Sequence, residues 1–241
     1  MLEIRDLTVR YGLIRAVDGL SAQLDAPICG LIGPNGAGKT TLVNALSGFL
    51  AGAVVSGQIL LNDRDWLPLS KIARVRAGLR RSFQTEQVVE DLSVWDNVKA
   101  LLDHLPGSDK AVQIERALMH TGLLTRWAAV AQDLNLFERR MLELAKTLVG
   151  NPKLILLDEP AAGLSDEETE QLRQTVSQIP ALFGAHVLMI DHDVHLIASV
   201  CEQTLVLDFG RLLAVGATRE VLDSEAVKRA YLGNSELAGV S

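Results

Sequence analysis

The chain has 241 residues and a net charge of −7, with 48% hydrophobic and 22% charged residues, a composition ordinary for one large globular domain or one domain carrying a sub-domain. The acidic balance argues against a broad basic face for nucleic acid. Cys29 and Cys201 have no CxxC spacing, so we predict reduced, buried thiols. Early acidic residues, and apolar runs shorter than the roughly 20 residues of a membrane span, predict neither a signal peptide nor a transmembrane helix.

The predicted elements alternate between strands and helices, which favours the α/β class with a parallel sheet and crossover helices. The stretch from about Trp66 to Thr147 has helical spacing and few strand-like runs, so we expect a helical insertion there. In chain order the pattern predicts strands at Leu2–Tyr11, Leu13–Leu24 and Pro27–Ile32, a helix at Lys39–Ser47, a strand at Gln58–Leu61, helices at Val94–Leu102 and Ala111–His120, a strand at Leu154–Leu157, a helix at Asp166–Ser177, strands at Val187–Ile190, Thr204–Leu207 and Leu212–Val215, and a helix at Thr218–Leu232 followed by loose residues.

A glycine-rich segment lies between the third predicted strand and the first predicted helix. It reads Gly33-Pro34-Asn35-Gly36-Ala37-Gly38-Lys39-Thr40 and fits GxxxxGK[ST]. Its glycines allow successive N–H groups to face phosphate oxygens, and the helix N-terminus adds partial positive charge. We expect Lys39 to reach the β- and γ-phosphates and Thr40 to bind Mg²⁺, with Thr41 beside it in the nucleotide site. The alternative is a chance Gly-rich turn; the strand–loop–helix context favours ATP binding and hydrolysis.

Two carboxylates, Asp158 and Glu159, follow the buried run Leu154–Leu157. The carboxyl ends of buried strands are where α/β sheets place ligand chemistry. Asp158 is therefore expected to hold Mg²⁺ through water, and Glu159 to orient or deprotonate the attacking water. Taken alone, an acidic pair before a proline is typical of a solvated turn. Together with the phosphate loop, the pair favours catalysis.

With these motifs the chain resembles, over nearly its whole length, the nucleotide-binding subunit of ABC transporters. The resemblance implies that Tyr11 stacks on adenine and that Gln84 contacts Mg²⁺ and senses the membrane partner. It also implies that His192 is a switch residue at the γ-phosphate. The segment 162–166, ending at Asp166, matches the loop that crosses to the opposite subunit.

Each of these residues has a plainer alternative. Tyr11 could be an aromatic residue at a strand end, without a role in binding, and Gln84 could be a solvated turn residue. His192, flanked by two aspartates with His195 three residues on, superficially suggests a metal site. No third nitrogen or sulfur ligand is evident nearby, whereas structural zinc sites have four ligands.

The resemblance also implies a fold: a P-loop NTPase of the ABC ATPase type, with a RecA-like parallel-sheet core, an N-terminal antiparallel β sub-domain and an inserted α-helical sub-domain. One ABC ATPase domain would span 1–241, with the core and β sub-domain at 1–84 and 150–241 and the helical sub-domain, including the signature region, at about 85–149. The sequence segments RRSFQ, LSVWDNV, DEPAAGL and IDHD are similar to those of ATPases of branched-chain amino acid and related amide importers.

Membership of that group implies ATP hydrolysis coupled to transport at the cytoplasmic face of the cell membrane. The implied cofactors are ATP and Mg²⁺. The implied partners are a second ABC ATPase subunit, integral membrane permease subunits and, indirectly, a solute-binding protein, with no nucleic acid among them. The solute would be a branched-chain or other hydrophobic amino acid or an amide.

The family's signature motif, approximately Leu-Ser-Gly-Gly-Gln, is altered here to Leu134-Asn135-Leu136-Phe137-Glu138. The motif offers a helix N-terminus and a hydroxyl to the γ-phosphate held by the other subunit, and its glycines permit close approach. Phe137 adds bulk there, whereas Asn135 keeps a polar contact and remains a good N-cap. We therefore predict a heterodimer with one strong and one degenerate site. The alternatives are a homodimer, or a Phe137 that turns outward so that both sites work.

Two other classes share the phosphate loop. Soluble ABC ATPases that act on DNA carry long coiled-coil or zinc insertions, and those that act on ribosomes usually carry two such domains; this chain has neither feature. A P-loop kinase would have no use for a loop that crosses between subunits. A soluble ABC-type ATPase without a transport role therefore remains the main alternative.

Overall fold

The computed structural model describes residues 1–85, 87–103, 105 and 109–231. The chain divides into two compact units, Met1–Val75 with Leu188–Ser241, and Arg76–Val187. In chain order the elements are β1 (Leu2–Tyr11), β2 (Ile14–Leu24), β3 (Ile28–Ile32), α1 (Lys39–Ser47), β4 (Val54–Leu61), β5 (Arg64–Asp65), α2 (Lys71–Ala77), β6 (Leu79–Arg81), α3 (Val94–Leu102), α4 (Lys110–His120), α5 (Leu136–Thr147), β7 (Leu154–Asp158), α6 (Asp166–Ser177), α7 (Ile179–Phe183), β8 (His186–Ile190), α8 (Val194–Val200), β9 (Gln203–Asp208), β10 (Arg211–Ala217), α9 (Thr218–Asp223) and α10 (Glu225–Tyr231).

The first unit contains an antiparallel sheet in the order β2-β1-β4-β5. In β1, Leu2 and Ile4 are buried, and so are Leu7 and Val9 beyond a register shift between Ile4 and Leu7, because alternate side chains of a strand point to one face. The same unit holds β3, which is buried throughout and pairs in parallel with β9. β10 returns antiparallel to β9.

The second unit is mainly helical and contains the parallel strand pair of β6 with β7. The helices α3, α4 and α5 pack against one another through buried apolar residues such as Val98, Ile114 and Met141. These pairings confirm the α/β class with parallel strands and a separate antiparallel sheet. The finer sub-domain bounds of the sequence analysis stay a prediction.

The strand Leu79–Arg81 corrects the expectation of a helical stretch from Trp66 to Thr147. Three residues are too few to show a period, and two of them are arginines. Arg80 is nevertheless buried, and its guanidinium donates to the carbonyls of Val149 (2.9 Å) and Gly150 (2.6 Å). Hydrogen bonds to backbone allow this arginine inside a strand.

The predicted helix Thr218–Leu232 is also corrected, since it is two helices. Ser224 lies between them in extended conformation, and its hydroxyl accepts from Val227 N at 3.4 Å. Serine favours such capping positions because its side chain competes for backbone donors. Leu232 and the tail expected to be loose lie outside the described residues.

The two cysteines are free and buried, as predicted. Burial raises the pKa of Cys29 to about 12 and also raises that of Cys201, so both thiols stay protonated and unreactive. In the part of the chain that the structure describes, no helix has the length and apolar character needed to cross a membrane.

Candidate active site

The phosphate loop follows β3 and is pressed against neighbouring backbone at two glycines. Gly33 has φ +154°, and a Cβ there would lie 2.3 Å from the carbonyl oxygen of Leu207. Gly38 has φ +101°, and a Cβ there would lie 2.4 Å from the carbonyl oxygen of Ala16. Only glycine fits both positions, so the motif glycines are a steric requirement of this loop.

The loop curls back on itself and holds its lysine. Ala37 N donates to Pro34 O at 3.1 Å. Lys39 is 8% exposed, and its Nζ donates to Gly33 O at 2.5 Å and to Pro34 O at 3.1 Å. The ammonium group is therefore fixed at the loop, where its charge acts on an anion bound there.

The N-terminus of α1 suits an anion. Its N-cap, Gly38, offers no side chain to the first amides of the helix, and uncapped amides with the helix dipole attract phosphate. Thr40 is exposed and Thr41 half-buried at this end. Gly36, with φ +79°, is exposed at the turn of the loop, and Asn35 is exposed beside it.

A support of the loop that the sequence did not reveal is the turn between β9 and β10. Gly210 N donates to Ala37 O at 2.9 Å, and Asp18 N donates to Gly210 O at 2.8 Å. The predicted strands Thr204–Leu207 and Leu212–Val215 leave only a connection at 208–211, and nothing in the sequence indicates that this connection holds the phosphate loop, because such main-chain bonds depend on tertiary packing.

Tyr11 and His192 are exposed residues of the same unit, one at a strand end and one in a loop. Tyr11 ends β1 opposite Ile14 and is 36% exposed. His192 is exposed between β8 and α8. Asp193 caps α8 by accepting from the amides of His195 and Leu196. His192 therefore directly precedes a residue that is held by hydrogen bonds.

In the second unit, Asp158 ends β7 and is bound by the last residue of β6 and by the residue after it. Its Oδ2 accepts from Arg81 Nη2 at 3.1 Å, and its N donates to Ser82 Oγ at 3.2 Å. The side chains of Arg81 and Asp158 are 7% and 12% exposed. Burial lowers the pKa of Arg81, and Asp158 opposes that shift. No local pattern in the sequence indicates this ion pair.

Glu159 and Gln84, two residues predicted for the site, meet directly. Gln84 Nε2 donates to Glu159 Oε2 at 2.8 Å. Glu159 has φ +51°, and a non-glycine residue costs about 1–3 kcal/mol in such a conformation. The residue that contacts Gln84 therefore has a strained backbone.

The altered signature begins helix α5 with a complete capping box. Asn135 Oδ1 accepts from Glu138 N at 2.8 Å, and Glu138 Oε2 accepts from Asn135 N at 3.0 Å. This confirms Asn135 as the N-cap. Phe137 is half-buried and lines a groove with Met141, whereas Leu136 is 41% exposed.

The donor set predicted for Mg²⁺ consists of the Thr40 hydroxyl, the Gln84 amide oxygen and the Asp158 carboxylate. All are oxygen ligands, which Mg²⁺ prefers, and Asp158 is a carboxylate at a strand end. Each of these residues therefore has the chemistry that the ion requires. The glycine cradle and the uncapped end of α1 fit a polyphosphate.

Comparisons with known proteins decide the family. The profile described as ABC transporter matches residues 19–162, more than half of the chain. The chain belongs to the ABC transporter family. Membership confirms the resemblance noted in the sequence, and with it ATP hydrolysis.

Curated relatives of this ABC protein match it over nearly full length. It is 33% identical to the high-affinity branched-chain amino acid transport ATP-binding protein LivG of Salmonella typhimurium, covering 98% of both chains. It is 32% identical to BraF of Pseudomonas aeruginosa, of the same description and with the same coverage. It is 34% identical to the lipopolysaccharide export system ATP-binding protein LptB of Escherichia coli, covering 96% and 97%.

Solved structures confirm the fold. The ADP conformation of MJ1267, an ATP-binding cassette of an ABC transporter, superposes with a TM-score of 0.85 at 24% identity and covers 97% of this chain and 99% of that one. The MJ0796 cassette in its dimeric post-hydrolysis state has a TM-score of 0.77 at 19% identity, with 91% and 99% covered. The fold is thus that of the ABC ATPases.

Proposed function

We propose that this chain is the ATP-hydrolysing subunit of a membrane import system for branched-chain or other hydrophobic amino acids or amides. The observation that carries the proposal is the similarity to LivG and BraF over 98% of the chain. The chain would lie at the cytoplasmic face of the membrane, bound to permease subunits and dependent on a solute-binding protein.

The proposed mechanism assigns each residue a task within ATP hydrolysis. Mg²⁺ supplies charge neutralisation at the phosphates and would be held by Thr40, Gln84 and Asp158. The phosphate loop and Lys39 grip the triphosphate, Tyr11 stacks on adenine, and His192 contacts the γ-phosphate. Glu159 accepts a hydrogen bond from the attacking water and takes its proton.

Gln84 restrains this proposed base. Its amide holds Glu159 Oε2 at 2.8 Å, and an acceptor already bound to a donor is less available to a water. We infer that movement of the segment carrying Gln84, driven by the permease, changes this contact and so couples the transport cycle to hydrolysis.

The role of Glu159 is tested by Glu159→Gln. The amide keeps the size of the side chain but removes the base, so turnover falls by about a hundredfold or more while nucleotide binding persists. Steady-state ATPase assays and equilibrium binding on the assembled complex measure both. Near-normal turnover would refute the assignment.

The altered signature supports a degenerate second ATP site in a heterodimer. The carboxylate of Glu138 sits at the N-terminus of α5, where it repels a γ-phosphate, and it also lies 3.5 Å from Arg126 Nε. Leu136, not Phe137, is the more exposed bulky residue there. Its Cδ2 lies 3.2 Å from where a Cβ of Gly163 would stand, so it lies beside the segment 162–166, which in our proposal crosses to the opposite subunit.

Restoring the motif tests this idea. Leu136→Gly with Glu138→Gln removes the exposed bulk and the charge while an amide keeps the capping geometry. We expect higher turnover of the assembled complex, and Phe137→Gly alone to add less. No gain in turnover from either variant would count against an impaired second site.

Measuring the mass of the Glu159→Gln variant with ATP shows whether the chain pairs with itself or needs a different ATPase subunit.

Export is the second candidate, because the chain is also 34% identical to LptB over 96% of its length. Reconstitution in membranes with candidate permease subunits separates the two. Stimulation of ATPase activity by a solute-binding protein with its amino acid supports import. Failure to co-purify with any membrane subunit would leave the soluble ABC-type ATPase as the better description.

A further inference from the structure

Helix α5 carries a buried pair of opposite charges that the mechanism above does not use. Arg140 and Glu143 are 11% and 6% exposed, and Arg140 Nη1 lies 3.5 Å from Glu143 Oε2. Burying two charges costs several kcal/mol per ion, and the mutual attraction offsets this only with additional hydrogen bonds. The additional bonds of this pair connect two loops of the proposed active site.

Glu143 binds the segment that follows Gln84. Its Oε1 accepts from Gln87 N at 2.7 Å. One turn further along α5, the ammonium group of Lys146 donates to the carbonyl of Gln87. Both polar groups of the Gln87 main chain are thus tied to α5, so this segment and the helix move together.

Arg140 binds the turn that carries Glu159. Its Nη2 donates to Ala162 O at 3.3 Å, and Ala162 N donates to Glu159 O at 3.2 Å. Glu159 has φ +51°, a conformation that persists only when the surroundings hold it. Arg140 supplies one of the bonds that hold this turn.

Two routes therefore join the same segment to the same turn. The direct route is the hydrogen bond from Gln84 to Glu159, and the indirect route runs from Gln87 through Glu143 and Arg140 to the turn. Arg140 and Glu143 also line, with Phe83 and Asp158, a small cavity of about 10 Å³. The buried charges thus lie beside the strand end that carries the proposed magnesium ligand.

We propose that Arg140 and Glu143 are positioning residues for ATP hydrolysis, which hold the Glu159 turn in its strained conformation and make that conformation depend on the segment carrying Gln84 and Gln87. The inference rests on the proposed role of Glu159. Neither residue touches substrate in this scheme; both act through the backbone of the turn.

The test measures kcat, KM for ATP and nucleotide-binding stoichiometry of the assembled complex with Arg140→Met or Glu143→Gln. A displaced general base slows the chemical step without weakening ground-state binding, so we expect kcat to fall by about tenfold or more with KM changed by less than about twofold. Arg140→Lys keeps a donor for Ala162 O and should recover part of kcat.

Matched controls come from the exposed pair Glu170 and Arg173 on α6. They have the same i,i+3 spacing, lie 2.5 Å apart and are 49% and 32% exposed. Glu170→Gln and Arg173→Met remove the same charges from a solvated surface and should leave kcat and KM unchanged. A loss of binding stoichiometry in Arg140→Met that Arg140→Lys does not repair would show a purely structural role and overturn the proposal.

A double-mutant cycle with Gln84→Ala tests the coupling. Effects of independent sites multiply, whereas residues acting on one turn deviate from that product. Multiplicative losses for Gln84→Ala with Arg140→Met would overturn the coupling. If Glu159→Gln leaves turnover normal, the proposed function itself fails. If Glu159→Gln is inactive but Arg140→Met matches the controls, only the present inference fails.

Discussion

Replacing Gly38 by alanine tests whether backbone packing shapes the phosphate loop. The new Cβ would lie 2.4 Å from Ala16 O, in a residue with φ +101°. An ordinary C···O contact is about 3.3 Å or longer, so the loop or β2 must move by about 0.9 Å. Positive φ costs a non-glycine residue about 1–2 kcal/mol, and overpacking adds about 1–3 kcal/mol. We expect a loss of about 2–5 kcal/mol in the free energy of unfolding.

Gly36→Ala is the matched control. Gly36 also has positive φ, at +79°, but nothing lies within 4 Å of its added Cβ. This variant should lose only the conformational part, about 1–2 kcal/mol. The comparison therefore separates the clash at Gly38 from the left-handed backbone that both glycines share.

Urea unfolding curves give the stability difference, provided the denaturant slope is unchanged. Titration with a fluorescent nucleotide gives the affinity, which should fall by about tenfold or more for Gly38→Ala, because the displaced amides no longer face the phosphates together. Equal stabilities of the two variants, or wild-type affinity in Gly38→Ala, would refute the reasoning.

Three further perturbations test separate features. Arg74→Met removes a buried guanidinium that binds the carbonyls of Ala45 and Leu46 at the end of α1; unfolding in urea should show a loss of about 2–4 kcal/mol, and a neutral result would contradict the buried bonds. Asn135→Ala removes the cap of α5 and should cost about 1 kcal/mol, with Asn135→Asp restoring it. Burial lowers the pKa of His120, so the folded state disfavours its proton. The free energy of unfolding should therefore decline as the pH falls below about 6.5, and His120→Gln should flatten that decline; an unaltered pH profile would reject it.

Local sequence determined the phosphate loop and most elements of the fold. The loop follows a short apolar strand and opens a helix, and the helices at Lys39–Ser47, Val94–Leu102 and Asp166–Ser177 were predicted with the observed bounds. Each of these predictions depends on residues that are close together in the chain: a hydrophobic period, a helix cap or a glycine spacing. Asn135 as the N-cap of α5 belongs to the same class.

Only the tertiary structure decided which distant side chains meet. The contacts of Arg81 with Asp158 and of Gln84 with Glu159 each join residues more than 70 positions apart, and the support of Ala37 by Gly210 spans an even longer separation. The strand at Leu79–Arg81 forms because β7 offers it a ladder, although its own three residues carry no strand pattern. Such contacts depend on where packing places two segments, and no local periodicity encodes that placement.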